Sequence, residues 1–305
     1  MKTSKFAPII VFAFNRPRHL KKTLDALAAC PESQSSDLRI YCDAARKDSE
    51  AEQVAAVRSL AKSESRFASC TVIEATINMG LARSIIAGVT ATVEQFGRVI
   101  VLEDDIVVTP NFLKFMNSGL DFYDSKPEVA SVCAYMYPIN PDGLPPTFFL
   151  KGTDCWGWAT WKRAWDIFEP DGIKLLNQIN SRNLRWAFDL DGSYPYCKML
   201  QDQIAGKNNS WAIRWHASAY LKGMMSCFPN KSLVQNIGLD GSGTHCEPTD
   251  KYGEVTDHRE NSRLEFRPEI NEHLLGRSRV AKFLLSLRPF RSKIIRRIQR
   301  LLQYA

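Results

Sequence analysis

The sequence of 305 residues lacks any run of the roughly 18 apolar residues that a membrane-spanning helix needs, although 45% of its residues are hydrophobic. The apolar run 9–14 near the N-terminus is too short for a signal peptide, and no small-residue cleavage site follows it. We therefore expect this run to form a first buried β-strand.

The sequence also lacks closely spaced cysteine pairs. None of its eight cysteines has the C-x-x-C spacing that is typical of zinc sites. Without an export signal, we expect reduced thiols in a cytoplasmic protein. The cysteines are scattered at Cys30, Cys42, Cys70, Cys133, Cys155, Cys197, Cys227 and Cys246.

Acidic residues are missing from residues 274–305, where nine residues are basic. Because the formal net charge of the whole chain is +7, residues 1–273 are slightly acidic. A nearly neutral body argues against a nucleic-acid partner. Apolar residues recur along the tail at helical spacing, with a break at Pro289. We predict a basic amphipathic helix on an anionic membrane surface. A partner-binding helix and a helix packed on the body are the alternatives.

Apolar runs and helical patterns alternate through the first half of the chain. The strand-like runs are 8–14, 38–43, 70–75 and 98–105, and helical patterns cover 17–27, 50–63 and 78–96. Continuous Val/Ile-rich strands between helices indicate an α/β fold with a mixed, mostly parallel sheet flanked by helices. Ligands of such sheets bind outside the carboxyl ends of the strands.

Polar residues follow each of the first four predicted strands. They are Asn15 and Arg16, then Asp43, then Asn78, and finally the triplet Glu103, Asp104 and Asp105. Because the carboxyl ends of parallel strands share one edge, these four positions are expected to form one rim.

The acidic triplet ends a buried strand, where uncompensated carboxylates cost several kcal/mol. The simple alternative is a solvated loop before a helix N-terminus. The interpretation favoured here is a divalent-cation site, because carboxylate oxygens suit Mg²⁺ or Mn²⁺. Such an ion neutralises charge on a diphosphate.

Five stretches of the sequence resemble glycosyltransferases of the GT-A fold, which has a Rossmann-like sheet. They are FAFNRPRHLKKTLDAL, NMGLARSI, VIVLEDDIVVTPNFL, CWGWATWKRAW and SLVQNIGLDGSGTHC, and they span residues 8–246. The resemblance is greatest to bacterial family-2-like sugar transferases, and more distant to the N-acetylglucosaminyltransferase I group. Together with the basic amphipathic pattern of the tail, it predicts a GT-A domain at 1–273 and a membrane-associating tail at 274–305.

This resemblance implies roles for named residues. Asp105 would bind Mn²⁺ or Mg²⁺, with His245 as a further metal ligand. The remaining residues would contact the nucleotide-sugar, and they are Phe14, Asn15, Arg16, Asp43, Asn78, Gly80, Arg83, Glu103, Asp104, Asp154, Gly157 and Trp158. Within this set, Asp43 would bind the base, Arg83 the diphosphate, and Asp154, Gly157 and Trp158 the donor sugar. Core packing is an equal alternative for the nearby Trp161 and Trp165.

The catalytic base departs from the family pattern. Relatives carry an Asp just after the first Trp of a W-D-x-x-W-like stretch, whereas SWAIRW has Ala212 there. Asp202 is the nearest upstream acid and the leading candidate, with Asp189 and Asp191 as competitors. Without a base, a retaining mechanism becomes possible.

The resemblance thus predicts a metal-dependent glycosyltransferase that moves a sugar from a nucleotide-sugar, expected to be a UDP-sugar, to a glycan or lipid-linked acceptor. It would be cytoplasmic and peripheral at the inner face of the membrane. One alternative is a nucleotidyltransferase that makes a nucleotide-sugar, although the first predicted strand lacks the following Gly-rich loop of such enzymes. The other is a non-catalytic, membrane-docked carbohydrate-binding protein.

Overall fold

A computed structural model of the chain describes residues 6–241, 252 and 265–288. Strands and helices alternate through the first half, as the sequence predicts. Its elements are β1 (Ile9–Ala13), α1 (Pro17–Ala28), β2 (Asp37–Cys42), α2 (Ala51–Lys62), β3 (Ser69–Glu74), α3 (Leu81–Phe96), β4 (Arg98–Glu103), β5 (Ile106–Val108) and α4 (Phe112–Phe122), with 3₁₀ turns at Pro31–Ser35 and Asp48–Glu50.

The second half has shorter and less regular elements. They are β6 (Val129–Cys133), β7 (Thr147–Lys151), β8 (Trp158–Trp161), α5 (Lys162–Trp165), α6 (Gly172–Ser181), α7 (Arg185–Phe188), α8 (Tyr196–Ile204), α9 (Trp211–Leu221), β9 (Met225–Pro229), β10 (Val234–Asn236) and α10 (Leu274–Ser286).

Eight strands form one mixed sheet in the order β3-β2-β1-β4-β8-β6-β9-β7. The first four are parallel neighbours, while β8 runs antiparallel to both β4 and β6. Right-handed crossovers place α1 and α2 on one face and α3 on the other, and α3 packs against β1 and β4. The predicted α/β fold with a mostly parallel sheet flanked by helices is confirmed.

A small second sheet brings a late segment of the chain to the end of β4. Strand β10 pairs antiparallel with β5, with Val234 opposite Val108 and Asn236 opposite Ile106. Because β5 follows β4 after only two residues, this pairing positions residues 237–240 beside Asp104 and Asp105.

Helix α10 packs on the body of the protein. Its buried side chains Val280, Ala281 and Leu284 face away from solvent, and Val280 and Leu284 join a cluster that contains Phe148 of β7. Residues 274–286 therefore pack on the body, as in the second alternative for the tail, and the predicted boundary at residue 274 does not separate them from it. Residues 289–305 lie outside the described part of the chain. Among the described residues, no helix has the length and apolarity required to cross a bilayer.

Candidate functional site

The carboxyl ends of β1 to β4 lie at one edge of the sheet, because these strands are parallel neighbours. Arg16 follows β1, Asp43 follows β2, and Glu103 is the last residue of β4. The sheet therefore brings the predicted polar rim together, including the acidic triplet.

Arg16 is the cation that compensates the acidic triplet in this structure. Its Nη2 donates a hydrogen bond to Asp105 Oδ2 at 2.8 Å and another to Asp104 Oδ1. Asp104 and Asp105 are only 3% and 7% exposed, so both carboxylates are largely removed from water. The hydroxyl of Thr23 fixes the same turn by donating to the Asp104 carbonyl oxygen at 2.8 Å.

One arginine does not balance three carboxyl groups. Burial, together with the neighbouring Asp105 and Asp104, raises the pKa of Glu103 to about 8. Burial also raises the pKa of Asp104 to about 6, although the attraction of Arg16 opposes that rise. Raised pKa values mean that negative charge is unfavourable here, so the cluster is suited to binding a further cation.

One carboxylate oxygen of the cluster is available for such a cation. Asp105 Oδ1 is buried and has no hydrogen-bond partner among the described residues. Glu103, two residues before Asp105, is half-buried, and its carboxylate oxygens are further candidate donors. Hard oxygen donors fit Mg²⁺ or Mn²⁺. Within residues 6–241, 252 and 265–288, no three His, Cys, Asp or Glu side chains are arranged so that all three could hold one metal ion. Phosphate and water oxygens would therefore complete the coordination of an ion at Asp105.

Gly238 lies directly against the acid cluster. The amide of Ile237 donates to the Asp105 carbonyl oxygen at 2.9 Å. A Cβ atom on Gly238 would collide with Asp105 Oδ2 and would lie 2.8 Å from Arg16 Nη1. Only glycine therefore fits between this segment and the carboxylate. Gly238 is not among the site residues predicted from sequence, and the one signal for it is the QNIGLDGSG stretch in which it lies.

The segment after Gly238 also reaches α1. His19 Nε2 lies 3.1 Å from a carboxylate oxygen of Asp240. Residues 237–240 thus connect to both β4 and α1 at the rim. His245, the predicted second metal ligand, falls outside the described residues, and its role stays a prediction.

Asp43 holds the turn that begins α3. Its Oδ1 accepts hydrogen bonds from the amides of Ala44 and Met79, and its Oδ2 accepts one from Gly80, each at 2.8 Å. Asn78 fixes the same turn by donating from Nδ2 to the Ala44 carbonyl oxygen at 2.6 Å. The structure therefore gives Asp43, Asn78 and Gly80 a positioning role at the rim, and their contacts with a nucleotide stay predictions.

Gly80 is required by its backbone. Its φ of +72° lies in the left-handed region, and a Cβ there would meet no other atom within 4 Å. Conformation, and not crowding, thus favours glycine immediately before α3.

The other predicted nucleotide contacts lie along the same edge. The guanidinium carbon of Arg46 lies 5.0 Å from the centre of the half-buried Phe14 ring. Asn15 is half-buried, and Arg83 is exposed in the first turn of α3. An exposed arginine at a helix N-terminus on this edge is compatible with phosphate binding, and these roles stay predictions.

Trp158 belongs to the core, which corrects its predicted contact with the donor sugar. The residue is fully buried, and its ring stacks on Trp211 at 5.4 Å between ring centres. Trp165 and Trp215 complete this aromatic cluster. Gly157 is also explained by packing, because a Cβ there would lie 3.0 Å from Val234 Cγ1 and its φ is +66°.

Asp154 is a half-buried carboxylate in the segment between β7 and β8, two residues before Trp156. Its Oδ1 accepts a hydrogen bond from the Trp156 amide at 2.9 Å. Burial raises the pKa of Asp154 to about 6, and backbone hydrogen bonds from Trp156 and Cys155 only partly offset this effect. Within the described residues, no ion pair joins Asp154 to a basic side chain.

Asp202 is poorly suited to the predicted role of catalytic base. It lies on α8 and forms ion pairs with Lys198 and, at 3.7 Å, with Lys207. The hydrogen bond from Lys198 lowers its pKa, which makes the carboxylate a weaker base. The two competitors are also engaged: Asp189 accepts a hydrogen bond from the Cys197 amide at 2.7 Å, and Asp191 pairs with Arg277.

No family model matches the chain, and no curated protein matches it either. Among solved structures, it is similar to mannose-1-phosphate geranyltransferase from Thermus thermophilus, with 13% identity, a TM-score of 0.36 and 76% of each chain covered. It is similar to galactosyltransferase LgtC in complex with donor and acceptor sugar analogs, with 12% identity and a TM-score of 0.33 over 57% of this chain and 65% of that one. Mouse xyloside xylosyltransferase 1 has 14% identity and a TM-score of 0.34 over 56% of this chain and 74% of its own. Likenesses this distant leave the activity to be argued from the site.

Proposed function

We propose that this chain is a metal-dependent glycosyltransferase of the GT-A type, which takes a nucleotide-sugar, with UDP-sugar as the first candidate. The observation that carries the proposal is the acid cluster at the carboxyl edge of the sheet. It combines Glu103, Asp104 and Asp105 with a single cation, Arg16, and leaves Asp105 Oδ1 buried and unpartnered among the described residues.

Each residue of the cluster has a place in this proposal. Asp105, with Glu103 nearby, would hold Mn²⁺ or Mg²⁺, and the ion would stabilise the departing nucleoside diphosphate. Arg16 lies between the two buried aspartates and orients both carboxylates. Gly238 and Ile237 close the rim over Asp105 and limit the access of water.

The test is calorimetric binding of UDP, GDP, CDP and dTDP, each with and without Mn²⁺. We expect one nucleotide to bind in a metal-dependent manner. Asp105→Asn should weaken that binding by about 100-fold or more, since the loss of even an outer-shell partner costs about 10–100-fold. The matched control is Asp121→Asn, because Asp121 is an exposed acid on α4 that pairs with Arg98 at 2.5 Å.

Two outcomes would contradict the proposal. Absence of nucleotide binding by the folded wild type would leave a carbohydrate-binding protein as the better hypothesis. Release of pyrophosphate from a nucleoside triphosphate and a sugar phosphate would instead identify a nucleotidyltransferase.

The proposed membrane attachment now depends on residues 289–305, because residues 274–286 are packed on the body. This segment carries five basic residues and no acid, and each basic residue near an anionic surface is worth about 1 kcal/mol. We expect the full chain to sediment with phosphatidylglycerol vesicles at low salt and to be released by high salt. A chain that ends at residue 288 should stay in the supernatant. Equal sedimentation of both chains would remove the tail from the proposal.

A further inference from the structure

A cavity of about 220 Å³ lies on the other side of Asp154 from the acid cluster. It is enclosed by the segments that follow β6 and β7 and by helices α7, α8, α9 and α10. Its polar and aromatic lining includes Tyr137, Asp154, Tyr196, His216, Glu272 and Arg277.

The Asp154 end of the cavity lies toward the same edge of the sheet as the acid cluster, whereas Lys151 pairs with Met225 at the start of β9 and lies toward the opposite edge. Trp158 at the start of β8 is paired with Val101 of β4 and with Cys133 of β6, so β8 begins between the carboxyl ends of these two strands. Neighbouring strands are about 4.8 Å apart, which places the ends of β4 and β6 about 10 Å from each other. The segment from Asp154 to Gly157 crosses this interval.

Cys155 provides a second indication that the two sites are close. The negative charges of Asp154, Glu103 and Asp105 all contribute to raising the pKa of its thiol, after the larger effect of burial. The half-buried Cys155 side chain is thus close enough to both the carboxylate of the cavity and those of the acid cluster to be influenced by each. Asp154 therefore lies between the place proposed for the diphosphate and the cavity.

Asp154 differs from the other charged groups of the cavity in having no charged partner among the described residues. Glu272 lies 3.5 Å from Arg277 and accepts a hydrogen bond from the Lys151 amide at 3.2 Å. Arg277 also pairs with Asp191. Asp154 has only backbone donors.

His216 is the other candidate proton acceptor in the cavity, and its ring is engaged by the backbone. Its Nδ1 lies 3.1 Å from the amide nitrogen and 3.0 Å from the carbonyl oxygen of Thr153. The ring also packs so closely on Gly152 that a Cβ there would collide with it. His216 is thus held as part of the wall, stacked on Tyr196 at 4.5 Å between ring centres.

We propose that this cavity binds the sugar ring of the acceptor and that Asp154 accepts the proton of the attacking hydroxyl. This inference rests on the proposed glycosyltransferase function. In the reaction, the acceptor oxygen forms a bond to the anomeric carbon of the donor. The bond from that carbon to the phosphate oxygen breaks, its electron pair leaves with the nucleoside diphosphate, and the hydroxyl proton moves to the Asp154 carboxylate.

The size and lining of the cavity agree with a single sugar ring. Sites for drug-sized ligands measure about 300–1,000 Å³, and this cavity is smaller. A sugar ring presents apolar C–H faces and polar hydroxyls, so it needs aromatic faces together with a few hydrogen-bonding groups. Tyr137 and Tyr196 of the lining carry both an aromatic face and a hydroxyl.

The first experiment tests the cavity. Saturation-transfer NMR would be recorded with p-nitrophenyl glycosides of glucose, galactose, mannose and N-acetylglucosamine, and nucleotide binding would be measured on the same samples. Ala187 of α7 lines the cavity, so Ala187→Phe should fill it and abolish glycoside binding. The matched control is Ala205→Phe, because Ala205 is exposed at the end of α8.

The outcomes separate this inference from the proposed function. Binding of a nucleotide but of no glycoside would overturn the inference and leave the proposed function standing, as would glycoside binding that survives Ala187→Phe. Binding of a glycoside but of no nucleotide would contradict the proposed function and, with it, the role of Asp154.

The second experiment tests Asp154 with the nucleotide-sugar and the glycoside that these measurements select. Asp154→Asn should lower kcat by about 10²–10⁴-fold, the usual contribution of a general base, with nucleotide affinity unchanged. With Mn²⁺ and the nucleotide-sugar at saturation, so that the carboxylates of the acid cluster stay ionised, the wild-type rate should rise with pH through the pKa of Asp154, about 6, and the residual rate of the variant should not. The titratable groups that surround Asp154 are Cys133, Tyr135, Tyr137, Cys155 and Tyr196, whose pKa values are raised above this range, and His216, whose pKa is lowered to about 4 and lies below it.

Asp142→Asn is the control, since Asp142 is an exposed acid in the loop between β6 and β7. It should keep the wild-type rate. Full activity of Asp154→Asn would overturn the role of Asp154. If Asp154→Asn stays active while Asp202→Asn or His216→Gln is inactive, that other residue would be the base instead.

Discussion

Removal of Arg16 tests whether its positive charge stabilises the buried carboxylates of the acid cluster. Arg16 contacts both Asp104 and Asp105, and the two carboxylates are almost fully buried. Arg16→Met keeps an unbranched apolar stem and removes the charge. The variant then has a buried pair of like charges with no compensating group from the described part of the chain.

The expected loss of stability is large. Removing one partner of a buried ion pair costs about 3–5 kcal/mol, because the remaining charge is left uncompensated. The matched control is Lys162→Met, since Lys162 also bridges two carboxylates, Glu94 at 3.0 Å and Asp166 at 2.8 Å, but all three side chains are exposed. Exposed pairs contribute about 0.2–1 kcal/mol, so the control should lose little.

The pH dependence provides an independent check on the same prediction. Because the pKa of Asp104 in the folded state, about 6, is above its ordinary value of 3.8, ionised Asp104 costs folding free energy above pH 6. That cost disappears as the pH falls toward 4. Without Arg16 the pKa of Asp104 should rise further, since the arginine lowers it. The stability difference between wild type and Arg16→Met should therefore be largest above pH 6 and shrink on acidification.

The assay is urea unfolding followed by tryptophan fluorescence, with a chelator present, at pH 7.5 and pH 5. The difference between each variant and wild type is compared, so that the titration of other acids cancels. The reasoning would be refuted if Arg16→Met lost no more stability than Lys162→Met at pH 7.5. It would be refuted equally by a loss that is the same at both pH values.

Two further substitutions test the geometry of the rim. Gly238→Ala should lower nucleotide affinity by about tenfold or more, because overpacking costs about 1–3 kcal/mol and the new Cβ would displace Asp105. Calorimetry compares this variant with Gly223→Ala. The positive φ of Gly223 makes that substitution costly for the backbone, but its new Cβ would meet open space. Nucleotide affinity of Gly238→Ala equal to that of wild type would contradict the packing of Gly238 against Asp105. Asp43→Ala should lower the free energy of unfolding by about 4 kcal/mol or more, because hydrogen bonds to a charged group contribute about 1.5–3 kcal/mol each and three backbone amides lose their acceptor. Urea unfolding measures this loss, and a loss below that of Lys162→Met would show that the turn does not depend on Asp43.

The first four strands and the rim were predictable because their signals are local. Runs such as Ile9–Ala13 are fully buried and rich in β-branched residues, and parallel pairing then puts their carboxyl ends at one edge. The contact of Gly238 with Asp105 was not predictable in the same way. It depends on pairing between two strands of three residues each, which are far apart in sequence and have no periodic pattern.

The errors concern side chains whose surroundings come from distant segments. Trp158 follows a glycine and precedes a helix, which is compatible with both ligand contact and core packing. The rings of Trp211 and Trp215 of α9 pack against Trp158 and place it in the core. The apolar face of α10 is likewise compatible with lipid or protein, and Phe148 of β7 covers it. Sequence spacing indicates that a face is apolar but does not identify what covers that face.

The protonation of Glu103 determines the charge with which the rim receives a cation. At pH 7 a carboxyl group of pKa about 8 is mostly protonated, so the two aspartates and Arg16 leave the cluster with one net negative charge. A divalent ion makes the cluster net positive while Glu103 stays protonated, and about neutral once Glu103 ionises. In either state the metal-bound cluster repels a diphosphate less than the metal-free cluster does. The ion also lowers the pKa of Glu103, so Mn²⁺ binding at pH 7 should release protons, at most one per ion from this group. Calorimetric titration of Mn²⁺ in buffers of different ionisation enthalpy measures this number directly. Glu103→Gln should release none, and heats that do not depend on the buffer in wild type would contradict the protonated Glu103.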